Sequence, residues 1–342
     1  MSAFTCCLFE NTVVLFGGSD SSNHQNNNLW HYNLVSNTWK KMQQLGDVPQ
    51  PRESSTAVML GNVMYLFGGI SLSVELIYQD MFLLEVANSK WSRVHSTGDI
   101  IPQRTLQAGC TVDGRIYIFG GQYIQYEETC YDDLFEIVLK GTEAVVRSIK
   151  TAVRPPGRHS HSLTPLSSQY LVLIGGEGFP KEHQDEEKEE DESTVTFGDV
   201  WLFDRIKTNW VKVEPRNPIF KPRSNFSCVE HDGRLIIFGG LRNNNQLYDE
   251  LLLLELDLDK LATVHNTKLC NNCHQLTAVQ ELYSVKEQLE MSFHFLQATA
   301  NLIKFPFAAF GLLIDNCVSI GATTINISIL NREDEQDTRI VR

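Results

Sequence analysis

The chain has no apolar run able to cross a bilayer: its most apolar late stretch, residues 305–314, is only ten residues, flanked by Lys304 and Asp315, where a helical span needs about 20. It is also short of positive charge, with 29 Lys and Arg against 42 Asp and Glu in 342 residues and a formal net charge of −13. Without a basic field to neutralise phosphates, nucleic acid is not an expected partner. Residues 1–18 show neither the basic n-region nor the small-residue cleavage site of a secretory signal. The eight cysteines lack the even spacing of a disulfide framework. Catalytic signatures are missing as well, since no nucleophile elbow, phosphate loop or H-E-x-x-H occurs. These absences together point to a cytosolic or nuclear protein that is not an enzyme and holds no metal or cofactor.

What is present looks like an ordinary folded chain, 42% hydrophobic, 10% aromatic and 21% charged. Its acidity is uneven. Residues 182–192 hold eight acids and one lysine, Lys188, so this run carries −7 and the rest of the chain only −6. Such a run cannot bury enough apolar surface to fold and is expected to be a mobile loop, inserted at residues 180–196, solvated or attracting a basic partner.

A repeat organises the remainder. Five apolar runs end in glycine doublets at Gly17-Gly18, Gly68-Gly69, Gly120-Gly121, Gly175-Gly176 and Gly239-Gly240, spaced 51, 52, 55 and 64 residues apart. Arg52, Arg104, Arg158 and Arg223 precede the last four doublets by 16, 16, 17 and 16 residues, each with a proline one or two places before it. Trp39, Trp91 and Trp210 follow their doublets by 22, 23 and 35 residues. Cys6, Cys110 and Cys228 fall at equivalent places and read as small buried hydrophobes in a reducing compartment. Each unit predicts four short strands: one after the arginine, a turn such as Asp113-Gly114, one ending in the doublet, a third after a variable loop, and a fourth carrying the tryptophan. Paired glycines suit a crowded backbone turn. The tryptophans are expected to wedge between adjacent sheets.

This pattern resembles the kelch repeat, whose unit forms one blade of a β-propeller. The resemblance covers residues 1–265 and implies an all-β fold of five recognisable four-stranded blades. The third and fifth units lack the tryptophan, so their interfaces are expected to be looser. The first unit's arginine would fall at Met1, and kelch rings usually hold six or seven blades. Five blades could close, a C-terminal segment could supply a missing piece, or the chain could be a shortened, incomplete six-blade ring; the last is the preferred reading. Residues 266–331 read as a mainly helical extension, with Leu282, Leu289, Phe293, Leu296, Ala300 and Ile303 at helical spacing across 276–303 and an alternating strand at 321–330. Residues 332–342 are charged and expected to be disordered.

The resemblance also implies where a partner binds. In kelch propellers the residues just after each doublet and each repeat arginine point to the channel mouth. They correspond to Ser19, Ile70, Gln122, Glu177 and Leu241 and to Glu53, Thr105, His159 and Ser224, with Arg242 adjacent; the polar members, Ser19, Gln122, Glu177, Glu53, Thr105, His159, Ser224 and Arg242, make a rim suited to a protein or peptide partner. The segment from Gly157 to Ser168 resembles kelch substrate receptors of cullin-2 ubiquitin ligases. Those receptors carry an elongin-binding box, of which Leu269 and Cys273 retain the spacing while Lys268 and Thr277 depart from it. An elongin and cullin partnership is the finer expectation. The alternative is a metal-dependent kelch enzyme like the plant specifier proteins. Glu255 and Asp259 match their iron-ligand spacing, but Thr263 stands in the histidine's place, two residues before His265. Cys270, Cys273 and His274 match haem-attachment spacing on too short a motif to carry weight.

Overall fold

In this computed structural model the described residues are 2–20, 22, 24–124, 129–179, 194–213, 221–242, 247–248, 250–256 and, as backbone alone, 255 and 283–289. They form five antiparallel four-stranded sheets in chain order. Blade one is Thr5–Phe9, Thr12–Phe16, Leu29–Asn33 and Thr38–Lys41. Blade two is Thr56–Leu60, Val63–Phe67, Met81–Glu85 and Lys90–Gly98. Blade three is Ala108–Val112, Arg115–Phe119, Leu134–Lys140 and Glu143–Ile149. Blade four is Ser162–Pro165, Tyr170–Ile174, Val200–Asp204 and Asn209–Val213. Blade five is Ser227–His231, Arg234–Phe238, Leu251–Leu256 and Tyr283–Leu289. In blades three and five the first turn is made by a residue pair at positive φ, as at Asp113 and Gly114, with φ of 47° and 72°.

The second and third strands are the most buried of blades two, three and four, because both of their faces meet neighbouring blades, and this is why the second strands are unbroken apolar runs. Four apolar clusters join consecutive blades. Phe16 and Leu29 of blade one meet Met64, Leu66 and Trp91 of blade two. Phe67 and Leu83 meet Ile116 and Ile137 of blade three. Phe119 and Leu134 meet Leu173 and Trp210 of blade four. Val172 and Leu202 meet Leu235 and Leu254 of blade five. Each large side chain so buried contributes about 1.5–3 kcal/mol.

Two of the three tryptophans wedge as expected, each onto the preceding blade. Trp91 is fully buried with its ring 4.8 Å from Phe16, and Trp210 is 4% exposed with its ring 5.3 Å from Phe119. Trp39 does not: it is 55% exposed, because no described blade precedes the first. Where blade three lacks a tryptophan, Ala144 and Val146 fill the interface and a void of about 10 Å³ remains beside Val58, Phe67 and Ile116. Residues 95–98 of blade two pair in parallel with residues 143–146, as residues 45–46 do with residues 90–91 at the preceding interface. At the turn side, Arg205 of blade four donates to the Tyr117 hydroxyl at 3.1 Å and pairs with Asp113 at 2.7 Å, tying blades three and four together.

Of the stretch 276–303, expected as a helix, only residues 283–289 are described, and they are a strand. Residues 283–289 form the fourth strand of blade five, antiparallel to Leu251–Leu256, so this blade extends past residue 265. Tyr283, Val285 and Leu289 also fit a two-residue period, and the unpaired edge of the third strand supplies backbone partners that an isolated helix would lack. The rest of that stretch, the acidic run at 180–193, the strand at 321–330 and the tail at 332–342 lie outside the described residues.

Candidate functional site

Arg52, Arg104, Arg158 and Arg223 are fully buried, and each spans its own blade. Arg104 shows the arrangement. Its Nε donates to the Pro102 carbonyl at 3.2 Å, and Nη1 donates to the Gly120 carbonyl at 2.8 Å. The two Nη atoms take Asp133 in a bidentate pair at 2.7 and 2.9 Å. The guanidinium lies 4.2 Å from the Tyr131 ring centroid. Asp80, Asp199 and Glu250 receive the other three arginines, while Tyr78, Phe197 and Tyr248 supply the rings. A buried cation is tolerable only when paired and fully hydrogen-bonded, and these are. The arginines were legible in the sequence and their partners were not, although an aromatic residue stands two places before every acid. In blade one, which has no repeat arginine, Asn28 occupies the acid's position: its carbonyl accepts from Gly17 as that of Asp80 does from Gly68.

The arginine's own backbone explains the doublets. The Arg104 carbonyl accepts from the Gly69 amide of the preceding blade at 3.1 Å. A Cβ on Gly68 would sit 2.7 Å from that same oxygen, and the corresponding separation at Gly120 is 2.4 Å from the Arg158 carbonyl. Both glycines also have positive φ, so only glycine lets the next blade's chain cross there. Three residues beyond Arg104, Arg158 and Arg223 a side chain passes beneath the first glycine of the preceding blade. Gln107 donates to the Phe67 carbonyl at 2.9 Å. His161 takes that place against Phe119, edge-on at 5.5 Å, and Phe226 lies beneath Gly175. Burial, reinforced by Arg158, holds the His161 imidazole well below its usual range.

The next two residues build a mouth on the same side. The residue after each arginine pairs by isolated bridges with the residue after its doublet: Glu53 with Ile70, Thr105 with Gln122, His159 with Glu177 and Ser224 with Leu241, as Ser2 does with Ser19. Seven of the eight expected rim residues are thus brought together, and Arg242, exposed, directly follows one bridge. One position further, Ala3, Ser54, Leu106, Ser160 and Asn225 all adopt the left-handed conformation, with φ between 52° and 56°. From Ser54 onward, each amide donates to the carbonyl of its counterpart in the preceding blade, a backbone spiral running blade to blade around the mouth. Left-handed backbone at non-glycine residues is held by its surroundings and tends to collect at functional sites.

Side chains finish the rim. Ser224 Oγ donates to Glu177 at 2.5 Å, Thr105 Oγ1 to the Ser54 carbonyl at 3.1 Å, and Gln25 Nε2 to Glu53 at 3.3 Å. His159 Nδ1 is 3.0 Å from Ser160 Oγ. Small hairpins rise beyond the bridges, pairing Ile70–Ser71 with Leu76–Ile77, Gln122–Tyr123 with Thr129–Cys130, and Glu177–Gly178 with Val195–Thr196. The first two hairpins and the equivalent loop of blade five expose Leu72, Val74, Leu76, Ile124 and Leu247. The acidic run is inserted in the third hairpin.

Among the described residues no group of three His, Cys, Asp or Glu side chains could hold a metal ion. Glu255 lies in the third strand of blade five, while Asp259, Thr263 and His265 lie outside the described residues. So do Leu269, Cys270, Cys273 and His274.

Comparison with known proteins agrees with this architecture. Kelch domain-containing protein 3 from Homo sapiens is 24% identical over 238 residues, covering 68% of this chain and 59% of that protein's length. Kelch domain-containing protein 2 from Bos taurus is 25% identical over 292 residues, covering 63% of this chain and 68% of the relative. The solved structure titled "Structure of YjhT" superposes with a TM-score of 0.60 at 15% identity, over 74% of this chain and 81% of that one, a likeness of fold. Residues 1–176 match the family described as KLHDC2/KLHL20/DRC7 Kelch-repeats domain, and with four of the five blades carrying the same buried arginine, whose carbonyl crosses the glycine doublet of the preceding blade, the chain belongs to that kelch-repeat family.

Proposed function

We propose that this propeller is a non-enzymatic interaction module that grips a short segment of a protein partner at the mouth formed by Glu53, Thr105, Gln122, His159, Glu177 and Ser224, flanked by Ser19 and Arg242. The observation that supports it most directly is the pairing of polar rim residues around a rigid backbone spiral, inside a fringe of exposed aliphatic side chains on the hairpins. Polar groups fixed by backbone orient a peptide, and apolar hairpin tips around them bury its side chains. The test is selection of a displayed random-peptide library on the full chain, repeated on Ser224→Arg and on a control, Lys207→Glu, at the opposite turns. Peptides retained by wild type and by the control but lost on Ser224→Arg are expected. Peptides bound equally by all three would refute the assignment.

Attachment to a cullin ligase through Leu269 and Cys273 is a finer reading, supported by the resemblance to the receptor family. It is tested by binding of purified elongin, with Leu269→Asp as the discriminating variant; no binding by wild type removes it. The metal-enzyme alternative is tested by elemental analysis, where stoichiometric iron or copper would replace the binding assignment.

A further inference from the structure

In blades two and three the outer edge of the fourth strand is covered by chain leaving the blade before it, and the cover takes one form. On blade two, residues 45–46 run parallel to residues 90–91. The Asp47 amide donates to the Trp91 carbonyl at 3.0 Å, the Asp47 carboxylate accepts from the Arg93 amide at 3.2 Å, and Gln44 Oε1 accepts from the Trp91 indole at 2.8 Å. On blade three, residues 95–98 run parallel to residues 143–146. There the Asp99 amide donates to the Val146 carbonyl at 3.0 Å, and the Asp99 carboxylate accepts from the Ser148 amide at 2.7 Å. In both covers a glycine at positive φ precedes the acid, Gly46 at 76° and Gly98 at 87°, and a Cβ on either would run into the carbonyl oxygen of Trp91 or Val146. A glycine followed by an aspartate is what these edges accept: the glycine lets the backbones approach, and the acid takes the next outward amide.

Blade one has the same edge without the cover. Trp39 stands opposite Tyr32 as Trp91 stands opposite Leu84, so Trp39 and Lys41 correspond to Trp91 and Arg93. The Met42 amide donates inward to the Leu29 carbonyl at 2.9 Å. Backbone groups alternate sides along a strand, so those of Trp39 and Lys41 point to the outer edge. Among the described residues no strand pairs with that edge, and all four residues of Thr38–Lys41 are exposed. The Trp39 and Tyr32 rings lie 4.8 Å apart, and the Lys41 ammonium is 5.9 Å from the Trp30 ring. Blade four also has no Gly-Asp pair before its fourth strand, but its Trp210 is buried; blade one combines an open edge with an exposed tryptophan.

What the two covered edges share, together with charge, identifies the occupant. Successive side chains alternate, so Lys40 and Lys41 lie on opposite faces of the strand and favour an acidic neighbour on either. Lysines on an exposed edge discourage indiscriminate strand pairing, and they do so least against a segment that carries acids. The chain has three Gly-Asp pairs, at 46–47, 98–99 and 198–199. The first two cover blades two and three, and Asp199 receives Arg158. The two glycines outside the described residues, Gly311 and Gly321, are followed by Leu312 and Ala322. We propose that the edge Thr38–Lys41 docks an extended segment of a separate protein, running parallel to it. In that segment a glycine and an aspartate take the parts of Gly46 and Asp47, and a side-chain acceptor two residues before the glycine takes the Trp39 indole.

Amide hydrogen exchange of the full chain, isotope-labelled at lysine and arginine and read by NMR, tests this with a synthetic peptide of residues 42–51 as the probe. The Arg93 amide, already held by Asp47, reports a folded body. The expected result is exchange of the Lys41 amide slowed by about tenfold or more as peptide is added, with Arg93 unchanged. Peptides carrying Gly46→Ala or Asp47→Lys should give no such protection. Unchanged Lys41 exchange at millimolar peptide overturns the proposal, and so does equal protection by the altered peptides. Protection of Lys41 before any peptide is added overturns it as well: if that protection grows with chain concentration the edge belongs to a second copy, and if it does not, to other residues of the same chain.

Discussion

Replacing Arg104 by methionine keeps most of the stem's volume and removes the charge and every donor. The loss can be worked from its partners. Asp133 gives up a bidentate pair at 2.7 and 2.9 Å, and the carbonyls of Pro102 and Gly120 lose their side-chain donor. Breaking a buried pair by deleting one partner costs about 3–5 kcal/mol, chiefly because the other charge is stranded. If that is the origin, Asp133→Asn introduced into Arg104→Met should restore part of the stability. Blade one already carries that combination, with Asn28 in the acid's place and no repeat arginine. Urea unfolding followed by tryptophan fluorescence supplies the double-mutant cycle, with a favourable coupling of about 1–3 kcal/mol expected for groups in one network. A cost below about 1 kcal/mol for Arg104→Met, or a double variant as unstable as the sum of the singles, would refute the idea that the buried pair holds the blade.

Three further outcomes are expected. Trp91→Ala should destabilise by about 3–5 kcal/mol, as for a large aromatic removed from a closed interface, whereas Trp39→Ala, at an exposed site, should cost far less in the same unfolding assay. Gly120→Ala should be more damaging than Gly239→Ala, since a Cβ meets a carbonyl oxygen at 2.4 Å in the first and, among the described residues, nothing closer than 3.4 Å in the second; equal shifts in the thermal midpoint would contradict the crossing geometry. Stability should fall on acidification below about pH 6.5, because the unfolded chain then protonates His161 while the folded protein, with its pKa held lower, does not. The slope from this group is at most about 1.4 kcal/mol per pH unit, and His161→Gln, which takes the residue found at the equivalent Gln107, should flatten it in urea titrations between pH 7 and 5.

The repeat was readable because it is written in residues whose chemistry is locally constrained. Gly120 must be glycine for a positive φ and a chain crossing, and Arg104 recurs at a fixed offset because the blade's width is fixed by strand length. The rim residues Thr105 and His159 followed from those landmarks by counting. Other features depend on what lies opposite in space. The acid that receives each arginine sits 11 to 24 residues beyond the doublet, across a loop of variable length, so no single spacing marked Asp133 or Asp199. The tail stretch 276–303 satisfies a helical period and, at 283–289, a strand period as well. An open hydrogen-bonding edge at Leu251–Leu256 settled which one forms.

Sequence alone therefore determined the repeat, its five doublets and their order along the chain, because each is set by contacts within one repeat or between neighbours at constant separation. Only the tertiary structure decided that Trp39 is exposed while Trp91 is buried, and that among the described residues no chain crosses Gly239 as the next blade's arginine crosses Gly120. Two identical residues in identical local contexts differ solely by whether another sheet stands beside them, and that neighbour is many residues away along the chain.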